Sequence, residues 1–252
     1  MECLNLVRIG SRNDGGYIAC KSDIQNSKGL VSFGISDDWN FESGYLGLCP
    51  VSIVQSYDFS VSFLTFIIKS FGAFPRFLLG KISFVELLRR LTLPSSYLSF
   101  FRGRSIHYKE RITKPAYAEN DVSVFTVFSR IESQKIFLKI DIEGSEYKII
   151  SDVLLYSDRI TGMVIEFHEI DFFQDKFKLA INQISKYFDI IHVHGNNYSY
   201  QSQQDGVSNV IELTFSKKAN HTQQVSSLKT PIPGLDSPNN KNKPEHSFSL
   251  LN

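Results

Sequence analysis

Acidic and histidine side chains follow two neighbouring apolar runs in the second half of the chain. Asp141 and Glu143 come directly after the run that begins at Ile136, and Glu166 and His168 close the next run. An acid that ends a buried strand must find a partner, a metal or a ligand to offset its desolvation. These side chains are therefore the first candidates for chemistry. The alternative is that Glu143 and Glu146 only complement the dipole at the start of a helix.

Short strands that alternate with helical stretches must position these side chains. This alternation predicts an α/β fold whose sheet is mostly parallel and has helices on both faces. The carboxyl ends of the strands in such a sheet are where ligands bind. Strands are predicted at 17–21, 30–38, 52–59, 105–112, 136–141, 163–168, 190–194 and 210–215, and an amphipathic helix at 176–188.

The first half of the chain contains a second set of polar residues at predicted strand ends. Gly34, Ser36 and Asp37 follow the strand at 30–38, and Asp58 ends the next strand. The spacing between them is about the 20 residues at which doubly wound folds place an acid that binds ribose hydroxyls. The alternative is that Asp58 caps the following turn.

Composition favours one enzyme-sized domain, which we place at residues 1–217. The chain has 252 residues, 42% of them hydrophobic, and a net charge of +1, which argues against nucleic acid as a partner. Cys3, Cys20 and Cys49 lack the spacing of a zinc site and fit a reducing compartment. The first residues lack the features of a signal peptide, so we expect a cytoplasmic location.

A basic, aromatic segment interrupts the strand pattern, and we predict a helical insertion at about 60–104. Between positions 59 and 112 the chain has nine Lys or Arg residues against Glu86 and Glu110. Charges break each apolar run before the roughly 18 residues that span a bilayer, so no transmembrane helix is predicted. One interpretation is ordinary helices with solvated basic faces. The functional interpretation is a lid for an anionic acceptor, including one presented at a membrane surface.

The polar tail at 218–252 forms a separate segment. Its first part, 218–229, has the composition of a mobile chain, whereas 231–251 contains turn-forming residues and a short apolar run. We expect the second part to dock on the domain. The oligomeric state is not encoded in any pattern of the chain.

Five segments together resemble the FkbM-type methyltransferases, and the resemblance covers most of residues 5 to 215. It implies the Rossmann-like class I methyltransferase fold, with a seven-stranded sheet and S-adenosylmethionine at the carboxyl ends of the first, second and fourth strands. Many bacterial members of that family belong to polysaccharide or glycolipid gene sets. The segments are Phe33-Gly-Ile-Ser-Asp-Asp38, Tyr57-Asp58, Leu138-Lys-Ile-Asp-Ile-Glu-Gly-Ser-Glu-Tyr147, Ile165-Glu-Phe-His168 and His192-Val-His-Gly-Asn-Asn197.

The resemblance assigns roles to the residues at the strand ends. Gly34 permits a close approach of the cofactor, Ser36 and nearby amides hold its carboxylate, and Asp37 or Asp38 holds its ammonium group. Asp58 binds the ribose, and Asp141 lies at the same strand ends. The chain departs from standard methyltransferases because it lacks their Gly-x-Gly-x-Gly motif.

Methyl transfer to oxygen also needs a group that removes the hydroxyl proton. His168 is the first candidate for this base and His194 the second, with Asp141 as a further catalytic residue; each histidine could instead be structural. Asp141, Glu166 and His168 form a candidate site for Mg²⁺ or Mn²⁺, with Glu143 near them. A metal-free site, in which the carboxylates bind sugar hydroxyls, stays open.

The leading expectation is an S-adenosylmethionine-dependent O-methyltransferase. Its acceptor would be a sugar hydroxyl of a cell-surface polysaccharide, a glycolipid or a glycan precursor. A second expectation is a non-catalytic module that binds a sugar or nucleotide on a degenerate methyltransferase fold, suggested by the missing glycines. A third is an interaction protein that uses the basic segment.

Overall fold

A computed structural model describes residues 5–202, 206–218 and 227–251 of the chain. The strands are β1 (Leu6–Ile9), β2 (Tyr17–Cys20), β3 (Gly29–Phe33), β4 (Ile53–Tyr57), β5 (Ser105–Tyr108), β6 (Arg111–Ile112), β7 (Asp121–Val122), β8 (Ile136–Ile140), β9 (Ile160–Phe167), β10 (Phe188–Gly195), β11 (Ile211–Lys217), β12 (Ser227–Thr230) and β13 (Phe248–Leu251). The α-helices are α1 (Lys21–Asn26), α2 (Asn40–Leu48), α3 (Phe63–Phe71), α4 (Ala73–Leu78), α5 (Phe84–Phe100), α6 (Val124–Arg130), α7 (Glu146–Leu154) and α8 (Gln174–Ile184).

Seven of these strands form the central sheet, in the order β10-β11-β9-β8-β3-β4-β5. The strands from β9 to β5 run parallel, and β11 runs antiparallel to both of its neighbours. The mostly parallel, seven-stranded sheet predicted from the sequence is therefore confirmed. The ends of β3, β4, β8 and β9 meet at one edge of the sheet.

Both faces of the sheet are buried, as the sequence of β8 illustrates. Ile136, Leu138 and Ile140 belong to a core cluster that includes side chains of α6, α7 and α8. Phe137 points to the other face and joins a second cluster with residues of α1 and α2. Because successive strand residues face opposite sides, a strand covered on both sides has an almost continuous apolar sequence. This explains why the run was recognisable.

Three helices, α3 to α5, occupy the segment between β4 and β5. Ser62 begins α3, where its side chain accepts a hydrogen bond from the backbone amide of Thr65, and Ser83 begins α5 in the same way. Phe66 and Leu93 pack these helices against Trp39 in a third core cluster. Within the described part of the chain, no helix is both long and apolar enough to cross a membrane.

The C-terminal segment returns to the sheet beside β10. Strands β12 and β13 pair with each other, and the Asn197 side chain donates hydrogen bonds to backbone carbonyls of Asn240, Lys243 and Pro244. The mobile part expected at 218–229 lies largely outside the described residues, whereas 227–229 belong to β12.

Candidate active site

A cavity of about 1000 Å³ opens at the edge where the parallel strands end. This volume is at the upper end of typical small-molecule sites, so it suits a cofactor together with part of an acceptor. The cavity is lined by residues that follow β3, β4, β8, β9 and β10. Among the residues singled out from the sequence, those on its wall are Gly34, Ser36, Asp37, Asp38, Asp58, Asp141, Glu143, Glu166 and His168.

Gly34 forms a part of this wall that no other residue could form. Its φ is +82°, and a Cβ atom at this position would lie 1.7 Å from the carbonyl oxygen of Asp141. The backbones that leave β3 and β8 therefore touch at this point. Only glycine combines this conformation with this approach, so the packing of the two strand ends requires a glycine here. Its contact with the cofactor stays a prediction.

Lys139 is the one charged residue of β8, and its partners explain its position. Its ammonium group donates a hydrogen bond to the carbonyl of Gly34 at 2.6 Å and lies 3.8 Å from Glu42 Oε1. Ser32 donates to the same Glu42 oxygen at 2.5 Å. Burial opposes the charge of Lys139, but Glu42 and Asp141 raise its pKa. The Lys139 side chain thus connects β8 to the Gly34 turn through the hydrogen bond and to α2 through the ion pair with Glu42.

Asp58 organises the loop after β3 rather than presenting a free carboxylate. Its Oδ2 accepts hydrogen bonds from the backbone amides of Ile35 and Ser36, at 3.0 and 2.8 Å. Its Oδ1 accepts from the amide and hydroxyl of Ser60. Burial acts against ionisation, yet the Ser60 and backbone hydrogen bonds lower the pKa of Asp58. A carboxylate has about four acceptor positions, and these hydrogen bonds fill them. Ribose binding by Asp58 stays a prediction, and it would require the hydrogen bonds from Ser60 to break.

Asp37 and Asp38, the two candidates for the cofactor ammonium group, differ in their surroundings. Asp37 forms ion pairs with Lys69 of α3 at 2.8 Å and with Arg89 of α5 at 3.3 Å. Asp38 accepts hydrogen bonds from the Ser11 hydroxyl and an amide of α2 but has no cationic partner among the described residues. The charge of Asp37 is already compensated, so Asp38 is the better candidate of the two.

His168 lies immediately after β9 inside a group of four carboxyl side chains. Its Nδ1 is 3.1 Å from Glu146 Oε1, and its Nε2 is 3.5 Å from Glu143, 3.6 Å from Glu166 and 3.9 Å from Asp141. Burial disfavours a charged imidazole, but the Glu146 hydrogen bond and the nearby carboxylates raise the pKa of His168 to about 10. At neutral pH this histidine is an imidazolium.

The Tyr17 hydroxyl lies between two of these carboxyl groups, those of Asp141 and Glu166. It is 2.9 Å from Asp141 Oδ2 and 3.0 Å from Glu166 Oε2. Burial, followed by the nearby charge of Asp141, raises the pKa of Glu166 well above its ordinary value. The Tyr17 hydroxyl is thus placed to donate to either carboxyl group, and Asp141 is the more exposed of the two.

Comparison with known proteins identifies the family. A family model described as the methyltransferase FkbM domain matches residues 91–221. The chain belongs to the FkbM methyltransferase family. It is accordingly an S-adenosylmethionine-dependent methyltransferase, as the resemblance implied, and the non-catalytic binding module expected as the alternative is set aside. No curated protein matches the chain.

Solved structures with a similar fold are distant. A fibrillarin/Nop5p complex has 13% identity and a TM-score of 0.39, covering 77% of this chain and 73% of that chain. A fibrillarin pre-rRNA processing protein of Methanococcus jannaschii has 11% identity and a TM-score of 0.37, with 78% and 69% covered. A precorrin-6y C5,15-methyltransferase of Geobacter metallireducens has 10% identity and a TM-score of 0.39, with 79% and 86% covered. The class I methyltransferase fold of this chain is evident from its own strand order.

The cavity of this FkbM methyltransferase fits S-adenosylmethionine at its glycine end. Gly34 and Gly15 both line this part of the cavity and have no side chains that could obstruct it. Gly15 has a φ of +80°. The amides of Ile35 and Ser36 already donate to Asp58, so the Ser36 side chain, which lines the cavity, would receive the carboxylate of the cofactor, and Asp38 its ammonium group. The fit depends on this chain's own backbone and not on the missing Gly-x-Gly-x-Gly motif.

The candidate metal ligands in the structure include Glu143 in place of Glu166, which was expected from the sequence. Asp141, Glu143 and His168 each present a ligand atom within 4.8 Å of the others. Glu166 lies outside this set, because its two oxygens face Tyr17 and the amide of Asn196. A bound Mg²⁺ or Mn²⁺ stays a prediction, and it would require His168 to give up its proton.

His194, the second candidate base, does not line the cavity. Its side chain is 1% exposed, with Nδ1 3.2 Å from Glu212 and Nε2 2.5 Å from Glu245. Burial opposes protonation, but these two acids raise the pKa of His194 to about 9. The geometry favours the structural alternative for His194. His192, which was expected to be structural, contacts Asp236 at 3.0 Å.

Three residues of the site were missed in the sequence. Asp14 lines the cavity from the turn before β2, Tyr17 contacts the carboxyl pair, and Asn196 donates a hydrogen bond to Glu166 at 2.9 Å. Tyr17 was predicted only as the first residue of the strand at 17–21, and Asp14, which precedes that strand, was assigned no role. An acid between turn residues and a buried tyrosine was the available signal.

Proposed function

We propose that this methyltransferase transfers a methyl group to a sugar hydroxyl of a glycan, a glycolipid or one of their precursors. One observation carries the proposal: the cavity continues from the Gly34 end into a wall of carboxyl, amide and hydroxyl groups. That wall contains Asp141, Asn196 and Ser199 next to the aromatic ring of Tyr198. Acceptors and donors of this kind match the many hydroxyls of a carbohydrate.

The protein's chemical task is to orient the acceptor hydroxyl and to take its proton. S-adenosylmethionine, when bound, supplies an electrophilic methyl group. His168 was the first candidate for the base, but its raised pKa of about 10 leaves it protonated at neutral pH. The proton acceptor is therefore Asp141, which lines the cavity and is partly exposed.

The neighbours of Asp141 support this role. The Tyr17 hydroxyl donates to Asp141 Oδ2, which leaves Oδ1 for the acceptor. The imidazolium of His168 lies 3.9 Å from Oδ1 and places a positive charge beside this carboxyl group. His168 is then a positioning residue, and Glu146 holds its ring from the other side.

Two measurements test the proposal. Calorimetry with S-adenosylhomocysteine should show binding, and labelled S-adenosylmethionine should transfer its methyl group to saccharide acceptors. Asp141→Asn should retain binding and lose transfer, whereas Asp158→Asn, which changes an exposed acid elsewhere, should retain both. Transfer to aromatic hydroxyls or to protein in place of saccharides would contradict the proposed acceptor class.

A further inference from the structure

The outer face of the helical insertion is apolar and exposed to an unusual extent. Phe71 is 80% exposed, Val85 76% and Leu79 69%. Most soluble proteins do not leave a contiguous apolar patch of this kind uncovered unless it binds something. The other large apolar side chains exposed on α3, α4, α5 and their connections are Phe63, Leu64, Ile68, Phe74, Leu78, Phe84, Leu88, Leu91 and Leu98.

On α3 and on α5 the exposed apolar side chains recur every three or four residues, at 64, 68 and 71 and at 84, 88 and 91, so each helix presents them on one side. Phe66 of α3 and Leu87 and Leu93 of α5 turn inward and are buried. The rings of Phe77 and Phe84 lie 6.0 Å apart and join α4 to α5. The inward residues supply the packing, so the exposed ones are not needed to hold the insertion together.

Unpaired cations lie among the exposed apolar side chains. Between positions 61 and 104 the chain has seven Lys or Arg residues and a single acid, Glu86. Glu86 forms ion pairs with Arg89 and Arg90. Arg76 and Lys81 are exposed and have no carboxylate partner among the described residues. This surface therefore presents positive charge that the protein does not neutralise.

We propose that the outer face of α3 to α5 docks on the surface of an anionic phospholipid bilayer. Exposed Phe and Leu side chains can enter the boundary between headgroups and acyl chains while Lys and Arg bind the anionic headgroups. Lysine is depleted at protein interfaces, whereas here Lys81 lies close to Leu78 and Leu79 in sequence. Charge complementarity thus favours lipid over a second protein.

Docking in this way would bring the cavity close to the bilayer. Lys69 of α3 and Arg89 of α5 contact Asp37 on the cavity wall, so the insertion is attached directly to the rim of the site. An acceptor carried by a lipid could then reach Asp141 while its tail stays in the membrane. The docking surface is independent of the acceptor's chemistry and goes beyond the proposed function.

Vesicle flotation with the full chain tests the docking surface. The protein should float with vesicles of phosphatidylcholine and phosphatidylglycerol, bind phosphatidylcholine alone much more weakly, and leave the anionic vesicles at high salt. Arg76→Gln combined with Lys81→Gln should weaken binding by about 30-fold, since each cation near an anionic surface contributes about 1 kcal/mol. Phe71→Ser combined with Leu79→Ser should weaken it at least about tenfold.

Matched controls separate docking from general stickiness and from misfolding. Phe125→Ser combined with Leu155→Ser removes two side chains of similar exposure, 73% and 80%, outside the insertion, and should float like the parent. Affinity for S-adenosylhomocysteine should be unchanged in every variant. Failure of the parent to float, or equal flotation of the parent and the Arg76/Lys81 variant, overturns the proposal. So does a dimer in gel filtration that Phe71→Ser and Leu79→Ser disperse, because the face would then bind a second copy.

Discussion

Two regions of the molecule contain a buried histidine between acids, and only one of them opens to the cavity. His168 lies between Glu146 and a group of carboxyls at the end of β9, and His194 lies between Glu212 and Glu245 in β10. Both histidines have a raised pKa, to about 10 and about 9. Burial and acidic partners therefore determine whether a histidine is protonated. Contact with the cavity determines whether it can take part in binding or catalysis.

Strand length accounts for the difference. Strand β9 ends at Phe167, so His168 lies just beyond the last paired residue, where the chain turns away from the sheet. His194 is still paired within the sheet, opposite Glu212 of β11, and the C-terminal segment covers it through Glu245. His194 is level with Glu166 in the sheet, so His168 lies two positions further along, beyond the paired residues and on the cavity wall.

The largest effect should come from the carboxylate beside His168. Asp141→Asn removes the proposed proton acceptor while preserving the shape of the side chain, and it should lower kcat by about 10²- to 10⁴-fold. The loss in affinity for S-adenosylhomocysteine should be much smaller, as calorimetry would show. A variant with near-parental kcat would remove Asp141 from the chemistry and place the active centre elsewhere in the cavity.

The region around His194 should contribute to the change of stability with pH, as His168 also does through its own raised pKa. Because the pKa of His194 is raised in the folded state, its contribution is fully present below its ordinary value of 6.5 and is lost as pH rises through about 9. Urea unfolding should therefore give a free energy lower by about 2 to 3 kcal/mol at pH 9.5 than at pH 6 from this group alone. The same slope in His194→Gln would show that His194 does not produce it.

Replacing each of the two histidines separately by glutamine tests the comparison directly. His168→Gln removes the positive charge beside Asp141 and should lower kcat by about 10- to 100-fold, the scale of a charged hydrogen-bond partner. His194→Gln should keep kcat within about twofold per folded molecule. Equal losses in both variants would contradict the division into a chemical and a structural histidine.

The smallest effect should be that of a chelator. The proton on His168 already supplies positive charge among Asp141, Glu143 and Glu166, so we expect activity at pH 7 to survive treatment with a chelator. Mg²⁺ or Mn²⁺ should bind more tightly as pH rises, because the imidazole must be neutral to act as a ligand. Loss of activity with the chelator and recovery with Mn²⁺ would restore the metal site predicted from the sequence.

The sheet was predictable because its strands are buried on both faces. The continuous apolar run before Asp141 and the acids after it indicated both a strand and its functional end, and the structure places them there. Helices α1 and α2 were not predicted, since short helices leave little periodicity. The predicted strand at 105–112 is divided into β5 and β6 at Lys109 and Glu110.

The site was predictable only where a residue's role follows from its position on a strand. The cavity contains Gly34 and His168 as expected, because both stand directly after strands. The partners of Asp58 are backbone amides, whose directions no residue pattern encodes. His194 looked equivalent to His168 because Glu245, which covers it, is distant in sequence.

The ion pairs of Asp37 also make the insertion inseparable from the rest of the enzyme. Its two cations, Lys69 and Arg89, belong to different helices of the insertion, while Asp37 itself belongs to the loop after β3. A chain trimmed of the insertion would keep an uncompensated carboxylate on the cavity wall. A chimera that exchanges the insertion between relatives is therefore expected to work best when positions 37, 69 and 89 are transferred as one unit.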